Sequence, residues 1–180
     1  MKLVFMIAFV LFAAAQLYLI IGLRGKHHKL GYQATAAGFV LFCLYLIFAF
    51  FCRFNIPYSV LLLCMITLFL NSFVGYFLNY FEKSYRFDRY LHGFGSFSFA
   101  FLGYFTIIAL MPSGGGKLFR SLFLVFFGVT LGAVYEIMEA IQDTRRHIKM
   151  QKGLKDTNFD LIFDLTGSVL AGLLFFLFCR

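Results

Sequence analysis

The sequence predicts an all-α polytopic membrane protein whose six transmembrane helices form one bundle. Hydrophobic residues make up 62% of the 180 residues and charged residues only 13%, whereas a soluble domain carries about 25% charged residues. The chain also contains six apolar stretches of about 20 residues, the length that an α-helix needs to cross a bilayer. None of them alternates apolar and polar residues, so a transmembrane barrel is excluded. The composition also excludes a soluble globular domain, a disordered chain and a nucleic-acid-binding domain.

The six stretches are separated by short connections. The first stretch begins directly after Met1-Lys2 and resembles a signal peptide, but it lacks a small-x-small cleavage site, so we interpret it as an uncleaved helix. The connections contain charged residues, Pro57 or the Gly-rich segment 112–116. No internal repeat divides the chain, which indicates a single transmembrane domain over residues 1–180. The predicted spans are 3–23, 32–52, 58–81, 90–111, 121–143 and 159–179.

Lys and Arg are distributed unequally between the two sets of connections. Segments 24–31, 82–89 and 144–158 hold eleven of the sixteen, and the opposite side holds five. Because Lys and Arg accumulate in cytoplasmic loops, both termini are predicted to lie outside the cytoplasm. The basic segment 144–158 is also expected to contact anionic lipid headgroups. The residues assigned to this contact are Arg145, Arg146, Lys149 and Lys152.

All eight carboxylates lie on the predicted cytoplasmic half. An acidic residue near the centre of a membrane helix costs about 2.5–3.5 kcal/mol on insertion scales. Such residues persist where they face one another, a cation or water. The eight are Glu82, Asp88, Glu136, Glu139, Asp143, Asp156, Asp160 and Asp164.

The spacing of these acids places them on one stripe of each of the last three helices. Residues four apart lie on the same helix face, and each stripe combines acidic residues at its inner end with small residues at its outer end. Small residues let membrane helices approach closely, so the charged ends should converge on one cavity open to the cytoplasm. The stripes are Asp88 and His92 with Gly95, Ser96 and Gly103; Gly128, Gly132, Glu136, Glu139 and Asp143; and Asp156, Asp160, Asp164, Gly167 and Ala171.

Two interpretations of this convergence are open. In the functional one, His92, Glu136, Glu139 and Asp160 are catalytic groups, and the metal ligands are Asp88, Asp160 and Asp164. The metal would be Mg²⁺ or Mn²⁺, which favour oxygen ligands. In the structural interpretation, His92 neutralises one carboxylate, while Arg145 or Arg146 reaches back to others.

Three further expectations concern polar residues that are assigned neither as catalytic groups nor as metal ligands. Asp143 and Asp156 lie near the interface and are expected to be solvated caps, with Asp156 as the N-cap of the sixth helix. Gln16, Asn71 and Asn79 are interpreted as interhelical hydrogen-bonding residues. His27 and His28 are expected to lie beside lipid headgroups.

Three motifs resemble those of VanZ-like membrane proteins. The segment Phe87–His92 resembles their aspartate–basic–histidine signature, Glu139-Ala140-Ile141-Gln142 their Glu-x-x-Gln, and the helix with Asp160 and Asp164 their final Asp-x3-Asn-x2-Gly helix, with Asp164 in place of Asn.

The closer resemblance is to the YjdF-like inner-membrane proteins of bacteria. They show Asp-Arg-x2-His, then Glu-x2-Glu as in Glu136 and Glu139, then Asp-Thr-x2-Asp as in Asp156 to Asp160. The similarity covers about residues 85–175. It implies a bacterial cell-membrane location and a role in the cell envelope.

Three classes of function fit these observations. An enzyme would use a divalent metal to bind a lipid-linked phosphate, with His92 as acid or base. A transporter would use the same acids as a proton or cation relay, although the chain lacks the repeats typical of secondary transporters. A non-catalytic module would bind an envelope lipid or a partner protein through its helices.

Overall fold

The computed structural model describes residues 2–111, 115–146 and 150–179, apart from the side chains of Arg145 and Arg146. Within these residues all regular structure is helical, and six helical stretches are long and apolar enough to cross a membrane. The predicted all-α polytopic class is therefore confirmed. The elements are α1 Lys2–Gly25, α2 Lys29–Phe51, α3 Tyr58–Phe69 with its π-helical continuation Leu70–Phe77, the short α4 Tyr80–Lys83, α5 Tyr85–Leu110, α6 Lys117–Arg146 and α7 Leu154–Phe178.

Several helix boundaries differ from the predicted spans. The largest shifts are in α5, which begins at residue 85 rather than 90, and α7, which begins at 154 rather than 159. The third span ends at 77 rather than 81, the fifth covers 117–146 rather than 121–143, and the first two cover 2–25 and 29–51 rather than 3–23 and 32–52. The physical reason is that hydropathy marks the part of a helix that fits the hydrocarbon, while charged residues continue the helix into the interface.

Two compact units divide the chain, residues 1–87 and 88–180, and the single domain stays a prediction. In the first unit, α1 and α2 form a helical hairpin held by aromatic contacts of Phe12 with Phe39 and Phe42. The third helix packs on both: its Tyr58 stacks on Phe5 of α1, and its π-helical continuation places Phe77 against Gly22 of α1 and Tyr76 against Gly31 of α2.

Local hydrogen bonds explain where the helices of the first unit begin and end. The His28 ring caps α2 by accepting a hydrogen bond from the backbone N–H of Gly31 at 3.0 Å, so it is a cap rather than only the headgroup contact that was expected. Asn79 adopts a left-handed conformation (φ 60°) just after the π-helical segment, and its amide donates to Glu82 at 2.6 Å. The described hydrogen bond of Asn79 is therefore local, not the interhelical bond that was expected.

The buried Gln16 of the first unit also differs from expectation. Gln16 is 1% exposed, and neither its amide nitrogen nor its oxygen has a hydrogen-bond partner among the described residues. The expected interhelical hydrogen bond of Gln16 is therefore not formed there. Burying an amide without a hydrogen bond costs free energy, so Gln16 destabilises the apolar core.

In the second unit, small residues allow α5, α6 and α7 to approach one another closely. Gly167 on α7 lies directly against the backbone carbonyl of Gly93 on α5, and Gly128 on α6 lies against Ser168 on α7. A compact core of mostly apolar side chains fills one end of these three helices: Ala100, Tyr104, Leu124, Ala171 and Phe175. The close backbone contacts fix the depth of each helix relative to the next, and thereby the positions of the polar residues at the other end.

Candidate functional site

Seven titratable side chains are buried together where α5 and α7 begin and α6 approaches its end. Each of them is 7% exposed or less. We call this set the acidic cluster: Asp88, His92, Glu136, Glu139, Asp156, Asp160 and Asp164. The structure thus places all six residues that the sequence analysis assigned to a site on α5–α7 in one buried region, and adds Asp156 to them.

His92 is the centre of the contacts. Its Nδ1 lies 3.1 Å from Asp164 Oδ2 on α7, and its Nε2 lies 3.7 Å from Glu136 Oε1 on α6. The same Nε2 is 3.9 Å from Asp88 Oδ1, one turn earlier on α5. One imidazole therefore faces carboxylates from all three helices.

Asp164 holds this imidazole in place. Besides its contact with His92, it accepts a hydrogen bond from the Ser96 hydroxyl at 2.6 Å, and its side chain is 1% exposed. Gly132 makes room for it, since a Cβ at that position would overlap the Asp164 carboxylate. Because both carboxylate oxygens already face protein donors, the geometry favours an orienting role for Asp164 over the metal-ligand role predicted for it.

The contact with Asp164 also decides which face of His92 is available. An ionised carboxylate only accepts hydrogen bonds, so Nδ1 carries the proton and donates. The neutral ring then presents the lone pair of Nε2 to the other acids. Nε2 is buried and has no hydrogen-bond partner in the described part of the chain.

Two groups of three residues could each hold a metal ion. His92, Glu136 and Asp160 offer ligand atoms that lie within 4.8 Å of one another, and so do Asp88, Asp156 and Asp160. Asp160 belongs to both groups. Among the described residues, three of the buried carboxylate oxygens have no hydrogen-bond partner: Glu136 Oε1, Asp156 Oδ1 and Asp160 Oδ1.

Glu139 is buried in the same region. The charges of Asp88, His92 and Glu136 act on it. It lies one turn after Glu136 on α6, because residues three or four apart in a helix share a face.

Arg89 lies at the edge of the acidic cluster. One of its terminal nitrogens is 3.6 Å from Asp156 Oδ1, and the guanidinium lies 4.2 Å above the Phe159 ring. Its Nε is buried without a hydrogen-bond partner among the described residues. Arg89 was not predicted as a site residue, although its place between Asp88 and His92 in the motif was a signal for it.

Residues 150–152, which precede α7, contact the cluster from one side. Gln151 donates from its amide to Glu136 Oε2 at 2.8 Å and to the Glu136 carbonyl at 3.0 Å. The backbone N–H groups of Met150 and Gln151 donate to the two oxygens of Asp143 at 2.7 and 2.9 Å. Asp143 is half-buried, and its carboxylate anchors the backbone of these residues.

Asp156 differs from the expected N-cap. Helix α7 begins at Leu154 with Gly153 before it, so Asp156 lies within the first turn. It is 5% exposed and accepts a hydrogen bond from the backbone N–H of Lys152 at 3.3 Å. The expectation of a solvated cap is wrong for Asp156, because the helix starts earlier than hydropathy indicated and turns the residue inward.

The lipid-headgroup assignment is largely untested. The side chains of Arg145 and Arg146 and all of Lys149 lie outside the described residues. Lys152 is half-buried and lies close enough to Asp88 to interact with it electrostatically. The headgroup contact stays a prediction.

The chain belongs to the family described as "Predicted membrane protein (DUF2238)", whose model matches residues 4–180. A protein of Thermotoga maritima, titled "Uncharacterized protein", is 35% identical over 115 residues, which are 63% of this chain and 59% of that relative. The match thus spans about three-fifths of the relative's length. No solved structure matches the chain.

Proposed function

We propose that this multi-pass membrane protein binds a divalent cation, Mg²⁺ or Mn²⁺, in the acidic cluster and uses it to hold the phosphate group of a lipid. The observation that carries the proposal is the group formed by His92, Glu136 and Asp160. Their ligand atoms lie within 4.8 Å of one another, and one atom of each is buried without a hydrogen-bond partner in the described ranges.

Burial without a partner is the reason to expect a cation there. An unsatisfied buried polar group costs about 1–3 kcal/mol, and a charged one costs more. Carboxylates from separate helices also repel one another at this distance. A bound divalent cation offsets both costs, because it coordinates the unpaired oxygens and neutralises their charge.

The ligand set fits Mn²⁺ and Mg²⁺. Carboxylate oxygens suit both ions, and the imidazole nitrogen of His92 adds a ligand that transition metals accept. The hydrogen bond from His92 Nδ1 to Asp164 matches the outer-shell contact that orients metal-binding histidines. Ser96 in turn supports Asp164, so the ring has a fixed orientation before any ion binds.

The proposed phosphate ligand follows from the coordination that the protein leaves open. Mg²⁺ is usually held by one or two carboxylates plus water and substrate phosphate. Arg89 adds a guanidinium, whose planar set of donors matches phosphate oxygens. Since the cluster is built on three membrane-spanning helices, a phosphate carried by a lipid can reach it along the membrane.

The wider setting belongs to the same proposal. The excess of Lys and Arg in segments 24–31, 82–89 and 144–158 supports a cytoplasmic position for the acidic cluster and an extracytoplasmic position for both termini. The resemblance to YjdF-like and VanZ-like proteins supports a place in the bacterial cell envelope.

The test uses the full chain in lipid nanodiscs with a polyprenyl phosphate and the polyprenol of the same length. With Mn²⁺ present we expect the phosphate to bind at least ten times more tightly than the alcohol, and chelation of Mn²⁺ to remove the difference. Glu136→Gln should abolish the preference, while Glu82→Gln, an exposed acid outside the cluster, should retain it. Equal binding of the two lipids at saturating Mn²⁺ would contradict the lipid-phosphate proposal, and uptake of Mn²⁺ into proteoliposomes would favour the transporter.

A further inference from the structure

We infer that the acidic cluster holds two divalent cations that share Asp160 as a bridging ligand. This inference rests on the proposed function and adds a second ion to it. The first ion would lie between His92, Glu136 and Asp160, which we call the histidine position. The second would lie between Asp88, Asp156 and Asp160, which we call the aspartate position.

The shared residue is the main geometric argument. Asp160 lies one helical turn from Asp156 on α7, and its ligand atoms come within 4.8 Å of those in both groups. It is 3% exposed, and its Oδ1 has no hydrogen-bond partner among the residues described. A carboxylate can bridge two ions, and paired metal sites place the ions about 3.5–4 Å apart.

The second group has its own unpaired oxygen. Asp156 Oδ1 is buried without a hydrogen bond, and its ionic neighbour Arg89 stands 3.6 Å away. The other oxygen of Asp156 already accepts the backbone N–H of Lys152. The aspartate position therefore has an available oxygen that does not belong to the histidine position.

The balance of charge also favours more than one ion. Six carboxylates of the cluster are buried, whereas the positive groups that contact or act on them in the described structure are Arg89 and the half-buried Lys152, because His92 must be neutral to offer its Nε2 to a metal. With all six carboxylates ionised, four of them have no counter-charge. One divalent cation neutralises two of them, so a second cation is needed to complete the balance.

The two positions should differ in affinity and preference. The histidine position includes an imidazole already oriented by Asp164, which favours Mn²⁺. The aspartate position is made of oxygens and competes with Arg89 for Asp156, so its ion should bind more weakly. An ion there would lie next to Arg89, on the side where the proposed lipid phosphate approaches.

The experiment counts Mn²⁺ bound to the full chain in detergent, by equilibrium dialysis with elemental analysis, and records the electron paramagnetic resonance spectrum. We expect two ions per chain at saturation, bound in two steps at least tenfold apart, with a spin-coupled spectrum. Asp156→Asn should leave one ion, and His92→Asn should also leave one, each with the coupled signal lost. Glu82→Gln should keep two.

The outcomes separate this inference from the proposed function. One ion per wild-type chain at saturation would overturn the bridged pair but keep the cation site, and no bound ion would overturn both. Two uncoupled ions, or two ions retained in Asp156→Asn, would also refute the shared site. Asp160→Asn should weaken both Mn²⁺-binding steps at least tenfold. If the Asp160 variant does not fold, the Asp156 variant keeps the test decisive.

Discussion

Gly167→Ala should disrupt the contact that holds α7 against α5. A Cβ at Gly167 would overlap the backbone carbonyl oxygen of Gly93. The obstructing atom belongs to the backbone of a neighbouring helix, so no side-chain rotation can relieve the overlap. The two helices must separate, and the displacement falls next to His92 and its hydrogen bond to Asp164.

The size of the effect follows from three contributions. Overpacking of a tight contact costs about 1–3 kcal/mol. Loss of a hydrogen bond to a charged group, here from His92 to Asp164, costs about 1.5–3 kcal/mol. Alanine offsets about 1 kcal/mol of this through its higher helix propensity. The free energy of unfolding should therefore fall by about 1.5–5 kcal/mol.

The assay is reversible unfolding in mixed micelles, followed by circular dichroism as a denaturing detergent is added. Gly25→Ala is the matched control, because Gly25 ends α1 and a Cβ there meets nothing within 4 Å. The control should change the free energy of unfolding by no more than about 0.5 kcal/mol. If the Gly167 variant is as stable as the Gly25 variant, the close helix contact does not contribute as argued.

Three other perturbations test separate features. Ser96→Ala removes the 2.6 Å hydrogen bond to Asp164. It should lower the free energy of unfolding by about 1.5–3 kcal/mol and weaken Mn²⁺ binding about 10–100-fold. Unchanged Mn²⁺ affinity in dialysis would refute the orienting role of Asp164. Gln16→Leu should raise the free energy of unfolding by about 1–3 kcal/mol, because it removes a buried amide without a described partner; a loss in the same detergent titration would show that the amide is satisfied. A reporter active only in the cytoplasm, fused after residue 180, should stay silent, and an active fusion would contradict the extracytoplasmic termini.

The sequence by itself determined the class of the protein and the helices that carry its polar residues. The backbone N–H and C=O groups of apolar stretches of bilayer length find no water in the hydrocarbon, so they pair with one another within helices. The spacing of four in Asp156, Asp160 and Asp164 then places these acids on one face of α7. Their alignment with Gly167 also indicated that this face is turned to another helix.

Only the tertiary structure decided what each polar residue does. Sequence spacing fixes the face of one helix but not its rotation and depth against its neighbours, which depend on contacts such as Gly167 with Gly93. Those contacts place Asp164 within hydrogen-bond distance of His92 and Asp156 inside the bundle beside Arg89. Asp160 is shared by two groups for the same reason: its neighbours Asp88 and Glu136 are far away in the chain and are brought together only by helix packing.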